Sequence, residues 1–212
     1  GLPATPQLTD GGRAHIADRK RLGEALWGQG LGILYASIFC LHLLLMAAFT
    51  AIPAVMTEQV GLPPEQHAWL YLATLCGALP GVAMLVRRRQ ALDDSRPLLA
   101  LSVLLTVLGL VTALWASSLL VLGVGLMLFF VGFTALETIL PALVSIVAPT
   151  SLRGTAMGIF SSAQFLGVFT GGALGGNALH VGGAVGLVAV LSMLTGIWLA
   201  GLWRYGRAPM AA

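Results

Sequence analysis

Charged residues are so sparse along this 212-residue chain that the intervals between them constrain its fold more than any other feature. Glu24 and Glu58 enclose 33 uncharged positions, Glu65 and Arg87 enclose 21, Arg96 and Glu137 enclose 40, and Arg153 and Arg204 enclose 50. A helix rises about 1.5 Å per residue and needs about 20 apolar residues to cross the ~30 Å hydrocarbon core of a bilayer. The first two gaps therefore hold one crossing each. The third is interrupted by Trp115-Ala116-Ser117-Ser118, which reads as a tight turn between one crossing and the start of another that continues past Glu137 toward Pro149. The fourth contains Gly175-Gly176-Asn177 and Gly182-Gly183, both turn signals, and divides into two crossings. The expected fold is an all-α membrane protein with six transmembrane helices at about 31–55, 67–86, 97–115, 119–144, 155–177 and 183–203.

Composition supports this. Hydrophobic residues make up 58% of the chain and charged residues 9%, against roughly 25% charged in an ordinary soluble domain. Soluble, disordered, collagen-like and nucleic-acid-binding classes are excluded, and the lipid bilayer becomes the first partner. The two cysteines, Cys40 and Cys76, sit in apolar runs and read as buried small hydrophobes, not as a disulfide or metal framework.

Basic residues set the orientation, because short cytoplasmic loops retain lysine and arginine. Arg13, Arg19, Lys20 and Arg21 precede the first span, Arg87, Arg88, Arg89 and Arg96 separate the second from the third, Arg153 separates the fourth from the fifth, and Arg204 and Arg207 follow the sixth. All eleven fall on one side, and the opposite loops carry Glu58, Glu65, His67 and His180. Both termini are therefore expected in the cytoplasm. Trp69, Tyr71 and Trp115 at the outer ends, with Trp27, Trp198 and Trp203 at the inner ends, read as interfacial belts. Residues 1–30 are polar, basic and glycine-rich, without the apolar core of a signal peptide, and read as a cytoplasmic linker; 204–212 read as a cytoplasmic tail. Gly1 is not an initiator methionine, so the chain is expected to begin inside a longer reading frame.

Residues that lipid does not require carry the functional information. Glu137 is the one formally charged residue well inside a span. A charge at the bilayer centre costs about 2.5 to 3.5 kcal/mol on insertion scales, a cost that protonation removes, which suits a proton carrier. The alternative is a neutral carboxyl hydrogen-bonded to a neighbouring helix. His42, in the first span, titrates near neutral pH when unperturbed, or is satisfied by a backbone carbonyl. Counted from the cytoplasmic ends of their spans, His42 lies about 16 Å deep and Glu137 about 10 Å deep, which allows both to face one cavity. Helical spacing puts Met46 and Phe49 near His42, and Phe130 and Phe133 near Glu137, as a lining for apolar or amphipathic substrates or as plain packing. Gln164 in the fifth span reads as an interhelical hydrogen-bond donor or as a cavity residue. Gly167, Gly171 and Gly175 recur every four residues, flanked by Gly172 and Gly176, and Gly77 and Gly81 bracket Pro80. Such small faces admit a helix at close range, either inside the bundle or from a missing partner.

Glu137-Thr-Ile-Leu-Pro141-Ala-Leu-Val-Ser, then Ala148-Pro149, then Leu152-Arg153-Gly154-Thr-Ala-Met-Gly158-Ile-Phe-Ser-Ser-Ala-Gln164-Phe-Leu-Gly167 resemble the tenth span, short cytoplasmic loop and eleventh span of the major facilitator superfamily, in a drug/proton-antiporter-like member. Leu41-His42-Leu-Leu-Leu-Met46-Ala-Ala-Phe49-Thr-Ala-Ile-Pro53 resembles the seventh span of the YajR-type subgroup. The resemblance covers nearly the whole chain. It implies a C-terminal six-helix half built as a 3+3 inverted repeat, in the inner or plasma membrane of a bacterium. It places the first and fourth spans on the transport cavity, with His42 and Glu137 on the proton and substrate path, and the second and fifth spans, with their glycines, against the other half. The loop Arg87 to Arg96 occupies the position of the degenerate second copy of the family's basic motif, although Pro80-Gly81-Val-Ala replaces its aspartate-bearing helix end. The partners implied are a small-molecule substrate and the missing N-terminal six-helix half, in the same polypeptide or another. The energy source is the proton gradient, with no cofactor and no metal.

The leading functional expectation is thus one half of a secondary transporter, moving small amphipathic compounds by proton-coupled antiport. A membrane assembly subunit that uses its glycine faces to bind another protein is the second reading. An intramembrane enzyme is disfavoured, since the chain offers neither a nucleophile with a base nor a carboxylate pair. No Gly-x-x-x-x-Gly-Lys-Ser/Thr phosphate loop supports ATP-driven transport by this chain itself.

Overall fold

The computed structural model describes residues 23, 26–28, 30–90 and 94–205. Most of the expected linker, the end of the expected tail, and Asp93 and Arg207 lie outside the described residues. Five long helices dominate: α1 (Leu31–Phe49), α2 (Pro64–Gln90), α3 (Arg96–Leu114), α4 (Leu119–Val147) and α5 (Arg153–Tyr205). All five are long and apolar enough to cross a membrane, and the chain is a multi-pass membrane protein.

Helix ends follow local chemistry. Beyond Phe49, α1 passes into a short turn of helix, Ile52–Ala54, and a π-helical turn, Val55–Gln59. Pro53 lacks the backbone N–H that would continue the α-helical ladder, so the regular helix stops earlier than the expected position 55. The break at Trp115-Ala116-Ser117-Ser118 falls where the sequence puts it: α3 ends at Leu114, and Ser118, in extended backbone, caps α4 by accepting from the Val121 N–H at 3.4 Å. Several hydroxyl side chains inside the bundle close on their own helices, which satisfies them without water. Ser102 donates to the Leu98 carbonyl at 2.9 Å, Thr106 to Ser102 at 2.8 Å, and Thr195 to Leu191 at 2.7 Å.

The last helix corrects one expectation. No turn forms at Gly175-Gly176-Asn177; the helix runs on to Gly183, where the backbone (φ 57°, ψ −156°) leaves the helical region. A straight helix of 53 residues would be about 80 Å long, more than twice a bilayer's apolar thickness. Contacts with α1 give the direction of each arm. A side chain built on Gly167 would meet Phe39, one on Gly171 would meet Leu43, and one on Gly175 would meet Ala47, so the first arm runs parallel to α1. Trp198 bonds to Ser37 and Gly201 lies against Ile33, so the second arm runs antiparallel. The chain therefore reverses near Gly183. Gly175 holds the helix because its bare Cα is a packing surface for Ala47, and a residue engaged in that way is not a turn.

The same logic orders the other helices. Gly77 and Gly81 of α2 face Met127 and Val131 of α4 in parallel register. Gly109 of α3 meets Gly125 and Phe129 of α4, and Gly132 meets Ser102 and Thr106, in antiparallel register. Phe49 and His42 of α1 meet Phe129 and Phe133, which sets α1 antiparallel to α4. Successive helices thus alternate in direction, which carries Arg87, Arg88, Arg89, Arg96, Arg153 and Arg204 to one end of the bundle. At that end Arg96 forms a forked pair with Asp94 (2.6 and 2.9 Å) and lies 5.3 Å over the Trp203 ring, tying the start of α3 to the end of α5.

Two further expectations change. Trp198 is not part of an interfacial belt: it is 2% exposed and donates its indole N–H to Ser37 Oγ at 2.9 Å, whereas Trp27, Trp69, Trp115 and Trp203 are exposed. Cys76 is exposed on the outside of α2, and Cys40 is half-buried in an apolar groove with Trp27, Trp198 and Gly201.

Three glycines carry testable consequences. Gly171→Ala would set a methyl against the Leu43 carbonyl and destabilise the bundle by about 1 to 3 kcal/mol, whereas Gly172→Ala, which points into open space, stays within about 0.5 kcal/mol of wild type. Thermal unfolding in lipid nanodiscs compares the two, and equal midpoints would refute the close contact between α1 and α5. Gly183→Ala forces an L side chain into a backbone region nearly reserved for glycine and lowers stability by roughly 1 to 3 kcal/mol in the same assay.

Candidate functional site

Within a lipid-embedded bundle no water is left to expel from between helices, so packing and interhelical hydrogen bonds decide which faces meet. Three polar side chains from three different helices meet near mid-depth: His42 of α1, Glu137 of α4 and Gln164 of α5. His42 Nε2 lies 3.5 Å from Glu137 Oε1 and 2.9 Å from Gln164 Nε2. The other ring nitrogen, Nδ1, is 3.2 Å from the Ile38 carbonyl one turn back on α1. A carbonyl only accepts, so Nδ1 carries a hydrogen and donates it there, which leaves Nε2 of the neutral ring as an acceptor for the Gln164 amide.

His42 is buried, while the Glu137 side chain keeps 31% of its surface open and buries Oε1 without a hydrogen-bond partner. A separation of 3.5 Å exceeds an ordinary hydrogen bond, so the carboxyl and the imidazole stand next to each other without sharing a well-formed one. Of the two readings kept open for His42, the backbone contact is present, at Nδ1.

The depth difference expected from sequence disappears because α4 extends to Val147, not to position 144. Glu137 then sits ten residues, about 15 Å, from its helix end, and His42 eleven residues, about 16 Å, from Leu31. The structure brings the two together in direct contact, closer than opposite walls of one cavity.

Aromatic rings surround the polar group. Phe133 meets the His42 ring edge-on at 5.6 Å and stacks on Phe129 at 5.2 Å; Phe129 also touches Phe49 and Phe130, and Phe49 stacks on Tyr71 of α2 at 5.5 Å. Of the expected lining, Phe49, Phe130 and Phe133 therefore join one cluster, and half-buried Met46 lies one turn beyond His42. Phe129, fully buried at the centre of that cluster, was not singled out from sequence. Its signal was present in its four-residue spacing from Phe133. Tyr71, assigned to a belt, stacks on Phe49 instead.

Gln164 packs as the helix-bridging donor, with His42 as its partner. The glycines fall inside the bundle: Gly167, Gly171 and Gly175 on α1, and Gly77 and Gly81 on α4. Of the two readings of these small faces, packing inside the bundle is therefore present, tightest at Gly167, Gly171 and Gly175, where the neighbour is α1 backbone. Gly172 and Gly176 do point into open space, beside the exposed Phe165 and Phe169. The arginines Arg87, Arg88, Arg89 and Arg153 lie at the far basic end, about two helical turns or more from the polar group.

No family model matches the chain. It is 37% identical over 170 residues to the inner membrane transport protein YajR of Escherichia coli K12, covering 76% of this chain and 36% of that protein. An uncharacterized transporter of Buchnera aphidicola subsp. Acyrthosiphon pisum is 31% identical over 140 residues, 65% of this chain and 35% of its own length. A second Buchnera transporter, from subsp. Baizongia pistaciae, is 50% identical over 52 residues, 24% of this chain. The chain spans little more than a third of the length of the first two relatives. By this homology it is a relative of YajR, an inner membrane transporter of the major facilitator superfamily.

Proposed function

We propose that the chain is the C-terminal six-span half of a major facilitator transporter in an inner membrane, and that it couples export of small amphipathic compounds to proton entry. The observation that carries this reading is an ionisable pair from α1 and α4, Glu137 and His42, held 3.5 Å apart inside a membrane bundle. Ionisable groups inside membrane spans are costly to insert and commonly mark ion and substrate paths. One proton on the pair leaves the site neutral, whether it sits on the carboxyl or on the imidazole. Its release leaves a carboxylate that a cationic amphipathic compound can neutralise, and exchange of one positive charge for the other is antiport.

The alternating helix directions and the reversal at Gly183 support six crossings, and such a half supports a 3+3 inverted repeat with residues 1–30 as the central linker and 204–212 as the tail. The aromatic cluster around Phe129 supplies an apolar wall beside the proton site, with Met46 next to His42. Exposed Phe165 and Phe169, together with Gly172 and Gly176, supply a face for the N-terminal half. Alternating access then rocks the two halves about a fixed midplane site.

Two experiments test this. In everted vesicles containing the full-length protein, a pH gradient drives accumulation of the amphipathic cation ethidium, and Glu137→Gln reduces it to background; full gradient-driven uptake by that variant would end the proton-coupled reading. An antibody against the segment after Trp203 detects a native product near twice 22.0 kDa in its own membrane. A band at 22.0 kDa favours a free-standing bundle, and with it the assembly-subunit reading unless a separately encoded half copurifies.

A further inference from the structure

We propose that Gln164 is the residue that reads the protonation state of His42 and transmits it to the contact between α1 and α5. This rests on the proton-coupled reading above and adds to it a positioning residue that touches the proton site from a third helix.

The argument starts with the Ile38 carbonyl. Because it accepts the Nδ1 hydrogen at 3.2 Å, the tautomer of neutral His42 is determined, and Nε2 offers a lone pair. The Gln164 amide N–H points at that lone pair from 2.9 Å, while Glu137 Oε1 stands off at 3.5 Å with no hydrogen-bond partner. In this state His42 bonds α1 to α5. A proton arriving on Nε2 changes every sign at that atom. The ring N–H then faces an amide N–H, a repulsive pair, and its nearest anion is the Glu137 carboxylate. The Gln164 amide withdraws its N–H, and Nε2–H closes on Glu137. His42 now bonds α1 to α4. One proton therefore moves the polar link of α1 from one neighbouring helix to another.

Gln164 is well placed for this role. It precedes Gly167 by three residues on α5, at the start of the glycine seam where the α5 backbone lies directly on Phe39, Leu43 and Ala47 of α1. The seam brings the amide within reach of the imidazole. Around the ring, α4 contributes Glu137 and the edge of Phe133, and α5 contributes Gln164. Among the described residues, Glu137 is the one ionisable side chain within ion-pair distance of the imidazole.

The sign of the expected effect follows. A donor to the Nε2 lone pair stabilises neutral His42, so its removal lets the ring take up a proton at higher pH. Glu in its place is isosteric, loses the donor and adds an acceptor, and shifts the midpoint further in the same direction. The test is a pH titration by NMR of full-length protein in lipid nanodiscs with ring-nitrogen-15-labelled histidine, the His42 signal being identified by its loss in His42→Phe. Wild type shows the Nδ1–H tautomer in the neutral state; Gln164→Leu raises the midpoint by about one pH unit, and Gln164→Glu by more. If Gln164→Leu fails to fold, the isosteric Gln164→Glu carries the test alone. An Nε2–H neutral tautomer in wild type, or a midpoint unmoved by the variants that fold, overturns the proposal. Unmoved midpoints with ethidium transport still lost in Glu137→Gln would overturn only the role of Gln164. Normal transport in Glu137→Gln with shifted midpoints would overturn the proton-coupled reading instead.

Discussion

Everything at the centre of this bundle depends on how closely α5 can approach α1. Gly167, Gly171 and Gly175 let the α5 backbone rest on the carbonyl and Cα atoms of Phe39, Leu43 and Ala47, a distance that a single methyl on any of the three would prevent. In a bilayer, where lipid tails are as apolar as leucine, such contact is a main source of helix association, because dispersion forces and polar links replace the hydrophobic drive. With that seam in place the side chain of Gln164 reaches His42, and Trp198 on the returning arm reaches Ser37. A second seam of the same kind, Gly109 and Gly125 with Gly132, joins α3 to α4 and determines the register in which Glu137 is presented.

The polar centre illustrates an economy that lipid imposes. The Ser102, Thr106 and Thr195 hydroxyls bond back to their own helices. His42, Glu137 and Gln164 instead depend on one another across three helices. A buried group whose bonds lie on different helices links chemistry to helix position, since a change at one atom alters which helices are held together. Transport demands that link, and a helix that only fills a membrane does not.

Much of the fold was legible in the one-dimensional pattern. The spacing of charges marked the crossings, the one-sided placement of Arg87, Arg88, Arg89, Arg96, Arg153 and Arg204 matched the end to which alternating helices carry them, and the break at Trp115 to Ser118 fell where helix formation fails. Gly183 was legible as part of a turn signal; Gly175 and Gly176 were misread as one, since glycine writes the same letter whether it bends a chain or clears space for a neighbour. Trp198 was misread for a related reason. Its position near a helix end suits the interface, and only the presence of Ser37 across the contact explains its burial.

Sequence alone determined that the chain spans a membrane, in which direction its helices alternate, and which rare polar residues it carries into lipid, because these follow from hydropathy and charge along a single strand. Only the tertiary structure decided that His42, Glu137 and Gln164 share one site, that Phe129 centres the aromatic wall beside it, and that the glycine stripes face inward. Those facts depend on helix crossings and rotations, which are governed by contacts between residues from about fifty to more than a hundred positions apart, and no periodicity within one helix encodes which way a neighbour will turn.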